Sequence, residues 1–142
     1  MDYRGNKDFS DFHSIIYGHR MYSDSMFTSL GKYEDRDFFE KHPSVYVLTE
    51  NTVRKYNIFS AYEADVKKGS SYRLGLTETE GQQALFDYCK YYSVIDSDIT
   101  PSAENGDMLL TLSTCTVIGG KNTRWVVHSV LAEVYVAAPE IQ

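Results

Sequence analysis

Short apolar runs broken by polar turns recur along the chain, and they predict a mostly β domain interrupted by brief helices. His13-Ser14-Ile15-Ile16-Tyr17-Gly18 reads as the first strand. Next come Met26, Phe27 and Leu30 at helical spacing, between Ser23 as a candidate N-cap and Gly31. A helical turn over Asp35 to Lys41 is expected to bury Phe38 and Phe39. It must stop at Pro43, which lacks an N–H and disfavours helical backbone at His42. A strand from Val45 to Leu48 follows.

From Val53 to Val66 the spacing predicts a long, half-buried strand, with Tyr56, Ile58, Ser60, Tyr62, Ala64 and Val66 on one face. Thr77 and Glu80 have the spacing of a capping box. The stripe Ala84, Leu85, Tyr88, Cys89 and Tyr92 then predicts a helix from about Glu78 to Tyr91. Met108 to Thr114 reads as a strand that ends at Cys115. The turn Gly119-Gly120-Lys121-Asn122 leads to a last strand, Arg124 to Val136, whose Val126, His128, Val130, Ala132, Val134 and Val136 share a face. Together these strands form a hairpin carrying Cys115 and Arg124 near its open loop, in what the pattern suggests is an irregular barrel.

Composition narrows the function. With 142 residues, 42% of them hydrophobic, residues 1–142 are expected to form one domain with a real core. A net charge of −6 argues against nucleic acid or an anionic membrane surface as the main partner, because both require a basic patch. Neither a signal peptide nor a membrane anchor is expected in the chain as written, because no window of about 18 apolar residues occurs. No metal or cofactor is expected, since Cys89 and Cys115 stand apart without a CxxC or HExxH pattern. Asp96, Asp98, Glu104 and Asp107 read as a solvated loop rather than a calcium site.

Candidate chemistry centres on Cys115, which follows a strand and sits among the small polar residues Ser113, Thr114 and Thr116. Cys89, on the apolar stripe of a helix, reads as core. A thiol with an ordinary pKa of about 8.5 is only a few per cent thiolate at neutral pH, so a nucleophilic cysteine needs a basic or cationic neighbour. Of His13, His19, His42 and His128, His19 stands just past a strand end and is best placed to meet a second strand end. Arg124 opens the partner strand of the hairpin and can reach toward a carbonyl or an oxyanion. By spacing alone, a structural cysteine, a surface histidine and an ordinary strand arginine remain the commoner reading.

The local motifs change that balance. Tyr17-Gly18-His19-Arg20-Met21 resembles the histidine motif of class B sortases, and Thr111-Leu112-Ser113-Thr114-Cys115 resembles their cysteine motif. Between them, Met26-Phe27, Leu30, Phe38-Phe39, His42-Pro43 and Tyr56-Asn57-Ile58-Phe59 are similar to the segment that follows the family's histidine. Arg124-Trp125-Val126-Val127 is similar to its arginine strand. A thiol hydrolase of another fold is expected to orient its histidine with Asn or Asp instead of using an arginine.

The resemblance implies a closed β-barrel of about eight strands, with the helix before the cysteine strand over the substrate groove. It implies Cys115 as nucleophile, His19 as proton-transfer group and Arg124 as holder of substrate and oxyanion, with Tyr17, Ser113 and Thr114 lining the groove. The implied reaction cleaves a C-terminal sorting signal after threonine through a thioacyl-enzyme. The acyl group then passes to an amine of a peptidoglycan precursor or a pilin. The implied partners are surface proteins bearing such signals, at the extracellular face of a Gram-positive cell membrane. Relative to the family pattern, the N-terminal anchor, helices and first strands are not found in this chain, so membrane contact is expected only through such an anchor. An impaired remnant that at most binds sorting-signal peptides is the alternative expectation.

Overall fold

The long alternating run in the middle of the chain becomes the strand against which most of the sheet is assembled. A computed structural model of the protein describes residues 11–18, 33, 35–65, 70–114 and 123–136. The elements are β1 (His13–Gly18), α1 (Arg36–Lys41), β2 (Ser44–Leu48), β3 (Thr52–Asp65), a 3-10 turn (Ser70–Tyr72), α2 (Thr79–Tyr92), β4 (Leu109–Thr114) and β5 (Thr123–Val136). The helix expected around Met26 and Leu30 lies outside the described residues.

The strands form one five-stranded sheet in the order β1-β4-β5-β3-β2. β1 runs parallel to β4, and the other pairs are antiparallel. The expected closed barrel is not seen among the described residues. There the sheet is open, with β1 and β2 as its edges. A sheet closes only when its two outer strands find partners, and no described strand supplies them. Beyond the reach of β2, the chain after α2 covers β3: Val94 N–H donates to the Ala61 carbonyl at 2.8 Å, and Ala61 N–H donates to Ser93 Oγ at 3.2 Å.

β3 does not keep one face throughout, contrary to the alternation predicted for it. The register passes from Ile58↔Ser129 to Ser60↔His128, so Phe59 is an extra residue in the ladder. A bulge of this kind shifts the alternation by one position. Tyr56 and Ile58 therefore pack with Leu110, Leu112, Trp125 and Val127, with Phe38 and Phe39 of α1 against them. Tyr62 and Ala64 instead join Val126, while Phe59 packs on Leu85, Phe86 and Cys89 of α2. A second irregularity leaves Ala132 unpaired in β5, and Val134, Tyr135 and Val136 beyond it are exposed. The face predicted for β5 thus holds for Val126, His128 and Val130 only as far as that bulge.

Both helices begin and end for local reasons. Asp35 caps α1, its carboxylate accepting Asp37 N–H at 2.9 Å, and His42 N–H closes the last turn just before Pro43. Phe38 and Phe39 are half-buried rather than buried. The capping box expected of Thr77 and Glu80 does not form, since the N-cap is Glu78 and makes no side-chain cap bond. Instead, Gln82 Nε2 reaches back to the Leu76 carbonyl at 2.9 Å and anchors the entry to α2. Leu85, Phe86 and Cys89 are the buried residues of the helix, while Ala84 and Tyr92 are exposed.

Candidate active site

Three strand ends meet at one edge of the sheet. Tyr17 and Gly18 of β1 lie opposite Ser113 and Thr114 of β4, and Ser113 lies opposite Val126 of β5. Arg124 is two residues from Val126 and so shares its face, the one covered by α2. His19 and Cys115, the next residues after Gly18 and Thr114, lie outside the described residues. The structure therefore brings together Tyr17, Ser113, Thr114 and Arg124.

Arg124 is half-buried and pairs across the ladder with Ala64. Its Nε is buried and has no hydrogen-bond partner among the described residues. A buried charged donor left unpaired is costly, so its presence at a strand end calls for an acceptor that arrives from elsewhere. The neighbouring Trp125 points to the opposite face, and its indole Nε1 is likewise buried without a partner among the described residues.

Ser113 and Thr114 are buried, and their hydroxyls are already engaged. Ser113 Oγ–H donates to the Thr114 carbonyl at 3.1 Å and, its proton thus committed, accepts from Tyr72 Oη–H at 2.9 Å. Thr114 Oγ1 accepts Trp125 N–H at 3.2 Å, taking the place of a ladder bond beyond the last β4–β5 register pair. Tyr17 is half-buried and stacks on Tyr72, with ring centroids 6.1 Å apart and planes 9° from parallel. Tyr72, which the sequence pattern did not single out, is the hub of this corner. Its only sequence signal is its place among the polar residues between β3 and α2.

Behind the corner, a run of buried polar side chains crosses the sheet. Ser71 Oγ lies 2.5 Å from Tyr62 Oη, and Tyr62 Oη lies 3.0 Å from His128 Nε2. His128 Nδ1 and His13 Nε2 each lie 2.7 Å from Thr111 Oγ1, and His13 Nδ1 lies 2.5 Å from the Arg73 carbonyl. Burial, reinforced by nearby His13, holds the His128 pKa well below the ordinary value of 6.5. The sequence placed His13 and His128 inside strands but not in contact through a shared threonine.

Cys89 is fully buried on α2, and burial pushes its thiol pKa far above the ordinary cysteine range. It stays protonated at neutral pH and serves as core, consistent with its place on the helix stripe. A cavity of about 840 Å³ lies between α1, β3 and the segment after α2, lined by Arg36, Lys55, Lys90, Tyr91, Asp96 and Asp98 among others. It shares no residue with the corner that holds Arg124. Among the described residues, no three His, Cys, Asp or Glu side chains gather as a metal site, and no helix is long and apolar enough to cross a membrane.

Residues 3–132 match the sortase domain family. The chain belongs to the sortase family. Its relatives are class B: it is 35% identical over 116 residues to sortase B of Listeria monocytogenes, covering 80% of this chain and 45% of that protein. A Staphylococcus aureus sortase B-substrate complex superposes with a TM-score of 0.83 at 28% identity, covering 94% of this chain and 61% of that one. A sortase B complexed with triglycine superposes with a TM-score of 0.82 at 27% identity, covering 97% of this chain and 62% of that one. The chain spans about half the length of the curated relatives it matches.

Proposed function

We propose that this chain carries the catalytic part of a cysteine transpeptidase of the class B sortase type, with Cys115, His19 and Arg124 as its catalytic residues. The observation that carries the proposal is the buried Nε of Arg124, which has no partner among the described residues. It lies on the face shared by Tyr17 and Ser113, at the end of the sheet where β1 and β4 finish side by side. In the sequence His19 directly follows Gly18 of β1, and Cys115 directly follows Thr114 of β4.

In this reading the Cys115 thiolate attacks the backbone carbonyl that follows threonine in a C-terminal sorting signal. Arg124 donates to the oxygen as it becomes an oxyanion. The S–C bond forms, the C–N bond breaks, and the departing amine takes a proton from His19. An incoming amine then attacks the thioester, gives its proton to His19 and releases the thiolate. The acceptor is a peptidoglycan-precursor amine or a pilin lysine, and the site of action is the outer face of the cell membrane of a Gram-positive bacterium. The substrate and triglycine complexes of related sortase B proteins support a donor peptide and a glycine amine as the two reactants.

Cleavage of a fluorogenic library of threonine-glycine sorting-motif peptides tests this reading, with Cys115→Ala as control. Cleavage that disappears in Cys115→Ala supports the transpeptidase. Peptide binding without cleavage would instead identify an impaired binding remnant.

A further inference from the structure

With both imidazoles neutral, the buried polar run behind the corner has one consistent assignment of protons. The Arg73 carbonyl can only accept, so His13 Nδ1 donates to it and His13 Nε2 accepts from Thr111 Oγ1–H. Thr111 has then spent its proton and accepts from His128 Nδ1–H, which leaves His128 Nε2 to accept from Tyr62 Oη–H. Tyr62 in turn accepts from Ser71 Oγ–H. In that assignment both rings are Nδ1–H tautomers, and Thr111 and Tyr62 each donate one of these hydrogen bonds and accept another.

Both ends of this run finish on the same short segment. Ser71 is its first member, and the Arg73 carbonyl is its last acceptor. Between them stands Tyr72, whose ring stacks on Tyr17 and whose hydroxyl meets Ser113. Strands β1, β3, β4 and β5 each contribute one side chain, namely His13, Tyr62, Thr111 and His128. The loop of hydrogen bonds therefore staples the turn holding Tyr72 onto the sheet.

We propose that Ser71, Tyr62, His128, Thr111 and His13 form a pH-sensitive clamp that positions Tyr72 over the end of β4 and opens as acid charges His128. Among the described residues, the titratable groups facing His128 are His13 from β1 and Tyr62 from β3, with Tyr88, Cys89 and Tyr92 of α2 gathered around Tyr62. None of these supplies a negative charge at neutral pH to hold an imidazolium. Protonating Nε2 also removes the acceptor on which Tyr62 depends. The clamped turn therefore prefers the neutral ring, and the open turn, where water reaches it, accepts the proton. The clamp stands on these contacts alone, and only its consequence for chemistry at Cys115 rests on the transpeptidase reading.

Hydrogen exchange of the whole chain, corrected for intrinsic rates and followed from pH 8 to pH 5, tests the clamp without needing activity. Protection of residues 70–76 is expected to hold down to about pH 6.5 and then to fall by up to about tenfold per pH unit, the limit for one linked proton. Residues 79–92 of α2 serve as the internal reference. Nitrogen-15 spectra of the imidazoles at neutral pH are expected to show the Nδ1–H tautomer at both His13 and His128. Thr111→Val, which keeps the shape and removes the shared hydroxyl, is expected to lower protection of 70–76 already at pH 8. A flat pH profile for 70–76, a fall shared equally by 79–92, or an Nε2–H tautomer at His128 would each overturn the proposal.

Discussion

The two faces of the sheet are built by different rules. On the face toward α1, Tyr56, Ile58, Leu110, Leu112, Trp125 and Val127 interlock as an apolar cluster. On the face toward α2, apolar clusters at either end enclose a stripe of hydroxyls and imidazoles running from Ser71 to His13. Dispersion and the removal of apolar surface from water hold the first face, forces that depend on volume and not on proton position. The second depends on every donor finding its acceptor, so it is directional and responds to protonation. The candidate active-site corner lies on the second face, where Arg124, Ser113 and Tyr17 project.

Truncation on the apolar face is the largest perturbation expected. Ile58→Ala opens a cavity in a fully buried cluster and should lower unfolding free energy by about 2–5 kcal/mol, equally at pH 5 and pH 8, in chemical denaturation. On the polar face, Thr111→Val leaves His13 Nε2 and His128 Nδ1 without their shared partner. It should cost about 1–3 kcal/mol at neutral pH although volume is conserved. A cost as small as that of a surface substitution would erase the distinction between the faces.

Acid should separate them further. The folded-state pKa of His128 is depressed by burial, so its stabilising contribution is complete above the unfolded value near 6.5 and declines as pH falls below it. The slope is at most about 1.4 kcal/mol per pH unit, and His128→Phe should remove it from a pH series of denaturant midpoints. The smallest effect is expected away from both faces. Arg36 and Glu40 form an exposed i,i+4 pair on α1, and Glu40→Ala should change stability by less than about 0.5 kcal/mol in the same assay. At the corner itself, if Arg124 acts as the oxyanion donor of the proposed transpeptidase, Arg124→Ala should slow sorting-peptide cleavage by about 10²- to 10³-fold in kcat.

Strand and helix positions were legible in the chain because they follow from local patterns. β1 runs from His13 to Gly18 as its apolar run predicts, and Pro43 ends α1 one residue after its C-cap. The bulge at Phe59 was not legible, because a bulge is fixed by the partner strand's register and leaves the apolar run unbroken. For the same reason Tyr56 and Tyr62 looked equivalent but pack on opposite faces. The cap of α2 was misread by one residue: the helix takes Glu78 as its N-cap without a side-chain cap bond, and its entry is held instead by Gln82 Nε2 on the Leu76 carbonyl, a contact no spacing rule records.

Family membership could be read from the linear order of residues. The motifs around His19, Cys115 and Arg124 carry the resemblance, and residues 3–132 belong to the family they resemble. It took the folded arrangement to show that Ser113 is held by Tyr72 and that Arg124 keeps a buried donor unpaired among the described residues. The same holds for two histidines 115 residues apart (128 minus 13) that share one threonine. The physical reason is range: propensity and periodicity act over a few neighbouring residues, whereas a hydrogen bond between strands depends on register, twist and bulges that no single segment contains.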